Sequence, residues 1–323
     1  MQTRTLGRTG LSISRLVIGG GAIGGLFVRG SEDEQRRALT CAEVAGINWI
    51  DTAPLYGNGA SETALGRALA GNAYQPHLST KIMLDTAAGD DFAGQIRRSM
   101  EQSLARLGRD KVTLLQLHNP IAASTDGHAI AVADVLRAGG ALEGLARVRD
   151  AGLCAHIGLT ALGEAPAIIQ ALDSGGFDTA QVYYNLLNPT AAQPVPETYP
   201  GARFDGVLAA CHRANMGTLA IRIFSAGVIA TDARHGREAP LTRGDTVESE
   251  TAKAKAMFAA LGELDGTRAQ TALRFVLAQP ALDAAIVGFE HLAYLEEAIA
   301  AQAMGPLPAS ALARIEAAWR AAA

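Results

Sequence analysis

Gly19-Gly20-Gly21-Ala22-Ile23-Gly24, followed by Gly25-Leu26-Phe27-Val28-Arg29-Gly30 and then Ser31-Glu32-Asp33-Glu34, is the stretch on which the fold turns. It comes directly after the apolar run 16–19 and satisfies the G-x-G-x-x-G spacing of a dinucleotide-binding open sheet. That fold needs its helix to open on the glycines, so that the helix N-terminus faces the pyrophosphate. Here Leu26-Phe27-Val28-Arg29-Gly30 intervenes, and the first helical signal is Ser31 with Glu34, a capping box in which each satisfies the other's backbone donor. The glycine run reads as a loop, and the open sheet loses its main support.

Outward from that loop, strand-length apolar runs alternate with helical patterns along the whole chain, the pattern of βαβ units and a parallel sheet. The strand runs are 16–19, 47–51, 78–82, 112–117, 154–159, 179–182, 218–221 and 284–287. The helical stretches lie near 32–45, 61–70, 91–107, 129–151, 163–174, 205–215, 251–279 and 290–303, with a last helix over 307–320. Eight such pairs without a break in composition predict one closed (β/α)8 TIM barrel, a single domain over residues 1–323. Residues 3–14 alternate around Gly7 and Gly10 like a β-hairpin, which is expected to close the bottom of the barrel. Three long connections, 20–31, 183–205 and 224–250, follow strand C-termini, the face on which barrel enzymes build their sites.

Composition narrows the partners. With 49% hydrophobic and 19% charged residues the chain has material for a large core, and its formal net charge of −4 offers no basic field to nucleic acid or an anionic membrane. Cys41, Cys154 and Cys211 are scattered and odd in number, which suits neither a disulfide framework nor a zinc ribbon. No stretch approaches the roughly 18 apolar residues of a spanning helix, and the N-terminus lacks a signal peptide's apolar centre, so a cytoplasmic location is expected. The expected partner is a small molecule; oligomeric state is left open.

Three consecutive strands end on an ionisable residue: Asp51 after Trp49-Ile50, Lys81 after Ser79-Thr80, and His118 after Gln116-Leu117. In a parallel barrel these ends are neighbours, so the three side chains converge, and Tyr56 lies in the loop just past Asp51. Each has a plain alternative: Asp51 as a helix N-cap competing with Thr52, Lys81 snorkelling, His118 satisfied in the core, Tyr56 filling a turn between glycines. Their coincidence on adjacent strand ends favours a site. Carbonyl reduction needs a proton delivered to oxygen, and a free tyrosine, with its pKa of about 10, gives one up poorly. Lys81 is expected to lower that value, Asp51 to hold Lys81 charged, and His118 to orient the substrate oxygen; in the oxidative direction Tyr56 becomes the base.

Trp49-Ile50-Asp51-Thr52-Ala53-Pro54-Leu55-Tyr56-Gly57, then Ser61-Glu62, Ser79-Thr80-Lys81 and Leu114-Leu115-Gln116-Leu117-His118, closely resembles the aldo-keto reductase superfamily, and most the bacterial aldose and pyridoxal dehydrogenase-like members. The resemblance implies a barrel that binds NAD(P) in extended form, with Asp51, Tyr56, Lys81 and His118 as the catalytic tetrad. It places the cofactor against Gly19, Gly20, Asp51, Thr160, Gln181, Arg222, Phe224, Gly288, Phe289 and Glu297. The family's Ser-Asn pair after the fifth strand is here Thr160-Ala161, and its Tyr-Ser-Pro-Leu after the seventh is Ile221-Arg222-Ile223-Phe224. Arg222 reads equally as an anion anchor or a structural ion pair. Gly288, Phe289 and Tyr294, aligned with the family's 2′-phosphate clamp, carry no positive charge, so NAD is favoured over NADP. Phe27, Val28, Trp49 and residues 186–205 are expected to wall the substrate pocket with Tyr56 and His118. Other classes remain beside this one: a Schiff-base aldolase using Lys81, a cofactor-binding regulatory subunit without turnover and, least supported because no ligand cluster accompanies His118, a metal hydrolase.

Overall fold

Parallel strands with every second side chain turned inward account for the sequence pattern. The computed structural model describes residues 1–21, 23–240 and 245–322; Ala22 of the glycine run, residues 241–244 of the third long connection and Ala323 lie outside them. A hairpin of β1 (Thr3–Thr5) and β2 (Ser12–Ser14), antiparallel with Thr3 opposite Ser14, precedes the barrel. The barrel strands are β3 (Leu16–Gly19), β4 (Trp49–Asp51), β5 (His77–Ile82), β6 (Val112–Leu117), β9 (Cys154–Ala161), β10 (Thr179–Tyr183), β11 (Gly217–Ile221) and β12 (Ala284–Gly288). They close on themselves in chain order, with Gly288 of β12 registered against Gly19 of β3. A small pair, β7 (Ile121–Ala122) and β8 (Ile130–Ala131), sits in the connection after β6.

The surrounding helices are α1 (Leu26–Arg29), α2 (Glu32–Ala45), α3 (Ala60–Leu69), α4 (Phe92–Leu107), α5 (Val132–Leu136), α6 (Ala141–Asp150), α7 (Ala165–Asp173), α8 (Val207–Arg213), α9 (Val247–Leu261), α10 (Arg268–Ala278), α11 (Leu292–Ala303) and α12 (Ala309–Ala321). Two expected helices are each divided. The stretch 129–151 breaks at residues 137–140, where Gly139 takes a φ of 70° and a Cβ on Gly140 would lie 2.4 Å from the Asp134 carbonyl oxygen. The stretch 251–279 breaks at Gly262 and Gly266, after which Thr267 recaps the chain by accepting from the Gln270 amide. The expected capping box at Ser31 is only half formed: Ser31 Oγ accepts from the Glu34 amide, but the Glu34 carboxylate reaches instead to the Leu292 amide.

Period-2 alternation divides the strand residues between two environments. Leu16, Ile18, Ile50, Leu115 and Leu117 join the core between barrel and helices. Val17, Trp49, Leu114, Leu219 and Ala284 point to the axis and pack with Leu6 and Ile13 of the hairpin segment, which plugs the N-terminal end of the barrel. Two residues further along β4 and β6 the inward positions become polar, with Asp51 and Gln116, and there the site begins. Among the described residues no helix is long and apolar enough to cross a membrane.

Candidate active site

Asp51 is the hub. Its Oδ2 accepts from Lys81 Nζ at 2.5 Å, and its Oδ1 accepts from Ser79 Oγ at 2.7 Å, Gln181 Nε2 at 2.8 Å and Gln116 Nε2 at 3.2 Å. Each donor is an inward residue of β5, β6 or β10, so the barrel's alternation delivers all of them to one carboxylate. Lys81 Nζ also donates to the Thr52 carbonyl at 2.9 Å and to Tyr56 Oη at 3.2 Å. Asp51 and Lys81 are both almost wholly withdrawn from solvent. Burial opposes the Lys81 charge, but Asp51 and then Tyr56 outweigh it and hold the ammonium above its ordinary value.

Tyr56 hangs from a turn that only glycine-rich sequence closes: Gly57 and Gly59 take φ of 64° and 88°, and a Cβ on Gly57 would come within 2.6 Å of Val28. Its amide donates to the Ala53 carbonyl, and its own carbonyl accepts from the Ser61 amide at the start of α3. The tyrosine pKa departs from expectation. Burial pushes it up, and the lowering by Lys81 does not overcome that, so the net direction is upward and the phenol holds its proton. His118 lies edge-on to Tyr56, with ring centroids 6.0 Å apart. Burial, then the nearby Lys81 charge, lowers its pKa to about 3, and its enclosed Nδ1 has no hydrogen-bond partner among the described residues. The imidazole is therefore neutral across the physiological range.

From Tyr56 and His118 a cavity of about 680 Å³ runs past Gly19, Thr160, Gln181, Arg222 and Phe224 to Gly288, Phe289 and Glu297, the last in the middle of α11. Its size is that of a small-molecule or cofactor cleft. Gly20 is not on its wall; a Cβ there would sit 2.6 Å from Ser61 Oγ, so this glycine lets the loop lie against α3. Gly24 permits an equally close approach to Phe289, so packing accounts for these two glycines of the run. The buried Thr160 hydroxyl lines the cavity with no hydrogen-bond partner among the described residues. Arg222 follows β11 with a φ of 60°; its Nη2 donates to the Ala239 carbonyl at 2.9 Å, and its enclosed Nη1 has no partner among the described residues.

Two expected substrate residues are misplaced. Trp49 does point to the barrel axis, but one layer too low: it is fully buried in the plug with Leu6 and Ile13, and its Nε1 donates to Ser79 Oγ at 3.0 Å. Phe27 is buried in the helix-side core, and neither it nor any residue of 186–205 lines the cavity. Four site residues escaped the sequence reading. Ser79 and Gln116 stand two residues before Lys81 and His118, a position period-2 counting marks as inward. Arg237 and Glu290, 53 residues apart, form an ion pair of 2.7 Å at the far end of the cavity, so that end does carry a positive charge, already matched by a carboxylate.

Comparison with known proteins agrees with this architecture. Residues 15–320 match the model of the Aldo/keto reductase family. D-threo-aldose 1-dehydrogenase from Pseudomonas sp is 30% identical over 68% of this chain and 69% of its own length. Pyridoxal 4-dehydrogenase from Microbacterium luteolum is 25% identical over 89% of both chains. Among solved structures, the holo form of aldo-keto reductase AKR11C1 from Bacillus halodurans shares the fold with a TM-score of 0.75 and 20% identity, over 100% of this chain and 97% of that one.

Proposed function

The chain belongs to the aldo/keto reductase family and is an oxidoreductase; from that premise we propose that it interconverts a small carbonyl compound, an aldose or lactol, aldehyde or ketone, with its alcohol or lactone, using Tyr56 as the proton-transfer residue. The observation that carries this reading is the contact chain Asp51–Lys81–Tyr56, with Tyr56 and its neighbour His118 on the cavity wall. The family uses NAD(P). When bound, the nicotinamide supplies or accepts the hydride.

Tyr56 Oη holds the proton destined for the substrate oxygen: burial keeps the phenol protonated, the state from which reduction starts, while Lys81 opposes that shift and eases the proton's release. Lys81 donates to that same oxygen, so phenolate, when it forms, is met by an ammonium already in place. Asp51 keeps Lys81 charged and aimed. Neutral His118 offers a ring nitrogen to the substrate oxygen without competing for its proton. The Thr160 hydroxyl, buried and without a partner, together with the Gln181 amide fits a carboxamide on the cavity wall. Gly19, Phe224, Gly288, Phe289 and Glu297 line the rest of the cofactor's path. NAD is preferred over NADP in this reading, because Glu290 places a carboxylate at the far end and already engages Arg237. Lys81, held as a cation, is unsuited to Schiff-base chemistry.

The names of the two dehydrogenase relatives, one acting on an aldose and one on pyridoxal, set the first substrates to try. Fluorescence titration of NADH and NADPH should give a tighter dissociation constant for NADH; equal constants would sink the NAD preference. In a screen of aldoses, lactols and pyridoxal, Tyr56→Phe should lower kcat about 100- to 10,000-fold with cofactor affinity intact. A near-normal kcat in that variant would remove Tyr56 from the mechanism.

A further inference from the structure

Two glycines are required neither by their backbone nor by their neighbours, and both stand on the cavity wall. Most described glycines either take a left-handed φ or sit where a Cβ would crowd another atom. In the glycine run, a Cβ on Gly19 would meet the Gly288 amide nitrogen at 3.1 Å, one on Gly20 Ser61 Oγ at 2.6 Å and one on Gly24 the Phe289 amide nitrogen at 2.5 Å, while Gly25 takes a φ of 82°. Gly21 and Gly288 are the exceptions among the described residues. Neither φ is left-handed, and a Cβ would come no nearer than 3.7 Å to any atom beyond the adjoining residues. Gly288 lies beside Phe289, on the path read as the cofactor's. Gly21 lies beside the phenol: the nearest atom to its Cβ position is Tyr56 Cζ, at 4.0 Å. A glycine loosens the unfolded chain, and here it gains the folded protein no turn and no close approach. What it leaves is room in the cavity.

Position decides what the room is for. In the closed barrel β3, which Gly21 follows, lies next to β4 and opposite β9, where Thr160 stands. The hydroxyl that fits the carboxamide is therefore across the barrel mouth from Gly21, and the proton-transfer group is on the near side. Lys81 Nζ approaches the Tyr56 ring to 4.9 Å from its centroid and His118 meets the ring edge-on, so two of its flanks are already taken. A proton passes when the substrate oxygen lies within about 2.6–3.2 Å of the phenol oxygen. The reacting carbon is then one bond further out, and its substituents reach the space where a side chain at position 21 would stand. Accepting Tyr56 as the proton-transfer group, we propose that Gly21 sets specificity: it leaves room for a second substituent on the reacting carbon, so that the substrates are ketones or ring lactols rather than simple aldehydes. A Gly21 that merely let the loop turn would be indifferent to that substituent.

The test pairs isomers that differ in that substituent, dihydroxyacetone with D-glyceraldehyde and 2-butanone with butanal, as substrates of the wild type, Gly21→Ala and Gly21→Val. The ratio of kcat/KM, ketone over aldehyde, should fall about 10-fold in Gly21→Ala and about 100-fold in Gly21→Val, the scale on which a closed pocket discriminates single carbon groups. Since the position is open and its φ ordinary, neither variant should lower the melting temperature, and Gly21→Ala should raise it slightly. A ratio unchanged in Gly21→Val overturns the proposal. So does a loss of NADH affinity, read by fluorescence titration, as large as the loss of ketone turnover, since the room would then be the cofactor's. Parallel loss of both isomers with a lowered melting temperature overturns it too, as the mark of a structural glycine. If no carbonyl compound turns over in the wild type, the substrate reading of the site has failed separately. Calorimetric titration of δ-valerolactam, an unreactive ring analogue of a lactone, into the NADH-loaded protein then decides. Binding that Gly21→Val abolishes supports the proposal; binding that it leaves intact, or no binding at all, removes it.

Discussion

At the lower end of the barrel Val17, Trp49, Leu114 and Leu219 meet Leu6 and Ile13 in a dry plug; at the upper end Asp51, Lys81, Ser79 and Gln116, on β4, β5 and β6, meet in a buried polar cluster. The lower layer is stabilising without qualification, at about 1.5–3 kcal/mol for each large apolar side chain buried. The upper layer is not. A buried ion pair such as Asp51–Lys81 roughly breaks even against apolar residues, and the unpartnered Thr160 Oγ1, Gln116 Oε1 and His118 Nδ1 each weigh against the folded state. Two residues of strand separate the part that holds the barrel together from the part that does chemistry.

The largest effect that would break or sharpen this contrast comes from Lys81→Met. Turnover should fall about 100- to 10,000-fold. Stability should also drop, by about 3–5 kcal/mol, because the Asp51 carboxylate is left buried without its counter-charge. Adding Asp51→Asn should recover most of the stability and none of the activity, readable by urea denaturation and steady-state rates. If the double variant were as unstable as the single one, the upper layer would be structural after all. Leu6→Ala is the counterpart below: about 2–5 kcal/mol lost on unfolding, from methylenes removed and the cavity left behind, with kcat unchanged at a temperature where the protein remains folded.

A smaller effect separates the layers by pH. His118 is held neutral down to about 3, against 6.5 for an unperturbed histidine, by burial first and the Lys81 charge second. Its contribution to stability is complete above pH about 6.5 and is lost progressively as the pH falls towards about 3, because the unfolded chain binds a proton that the folded site refuses. His118→Gln should flatten the decline of the urea midpoint over that window. An unchanged slope would mean that His118 titrates normally.

Strand-end counting found Asp51, Lys81 and His118 because parity is local: a residue's inward or outward direction follows from its neighbours. Depth is not local. Trp49 has the right parity for a pocket wall, yet its layer is set by Leu6 and Ile13, over 30 residues earlier in the chain, which fill the axis beneath it. Ser79 and Gln116 were within reach of the same counting, carried one layer down. The Arg237–Glu290 pair was not, since two connections of different barrel strands meet there only after the barrel has closed. The upward shift of Tyr56 was hidden for a related reason. Sequence places a lysine near the phenol but does not show how thoroughly both are desolvated.

The smallest predicted effect tests whether the two layers are as independent as their chemistry suggests. Trp49 Nε1 donates to Ser79 Oγ at 3.0 Å, and Ser79 Oγ donates to Asp51 Oδ1 at 2.7 Å, so one hydrogen-bonded chain crosses from the plug to the hub carboxylate. Trp49→Phe removes the first link and some ring volume. It should cost about 1–2 kcal/mol of stability, part lost hydrogen bond and part lost packing. Ser79 keeps its own donation to Asp51, and Gln181 and Gln116 still fix the same oxygen, so kcat should fall no more than about threefold, a loss below 1 kcal/mol in the barrier. A loss of kcat comparable to that of Lys81→Met would mean that the tryptophan aims the acid through Ser79. Trp49 would then belong to the active site, and the boundary between the layers would lie below it, at Leu6 and Ile13.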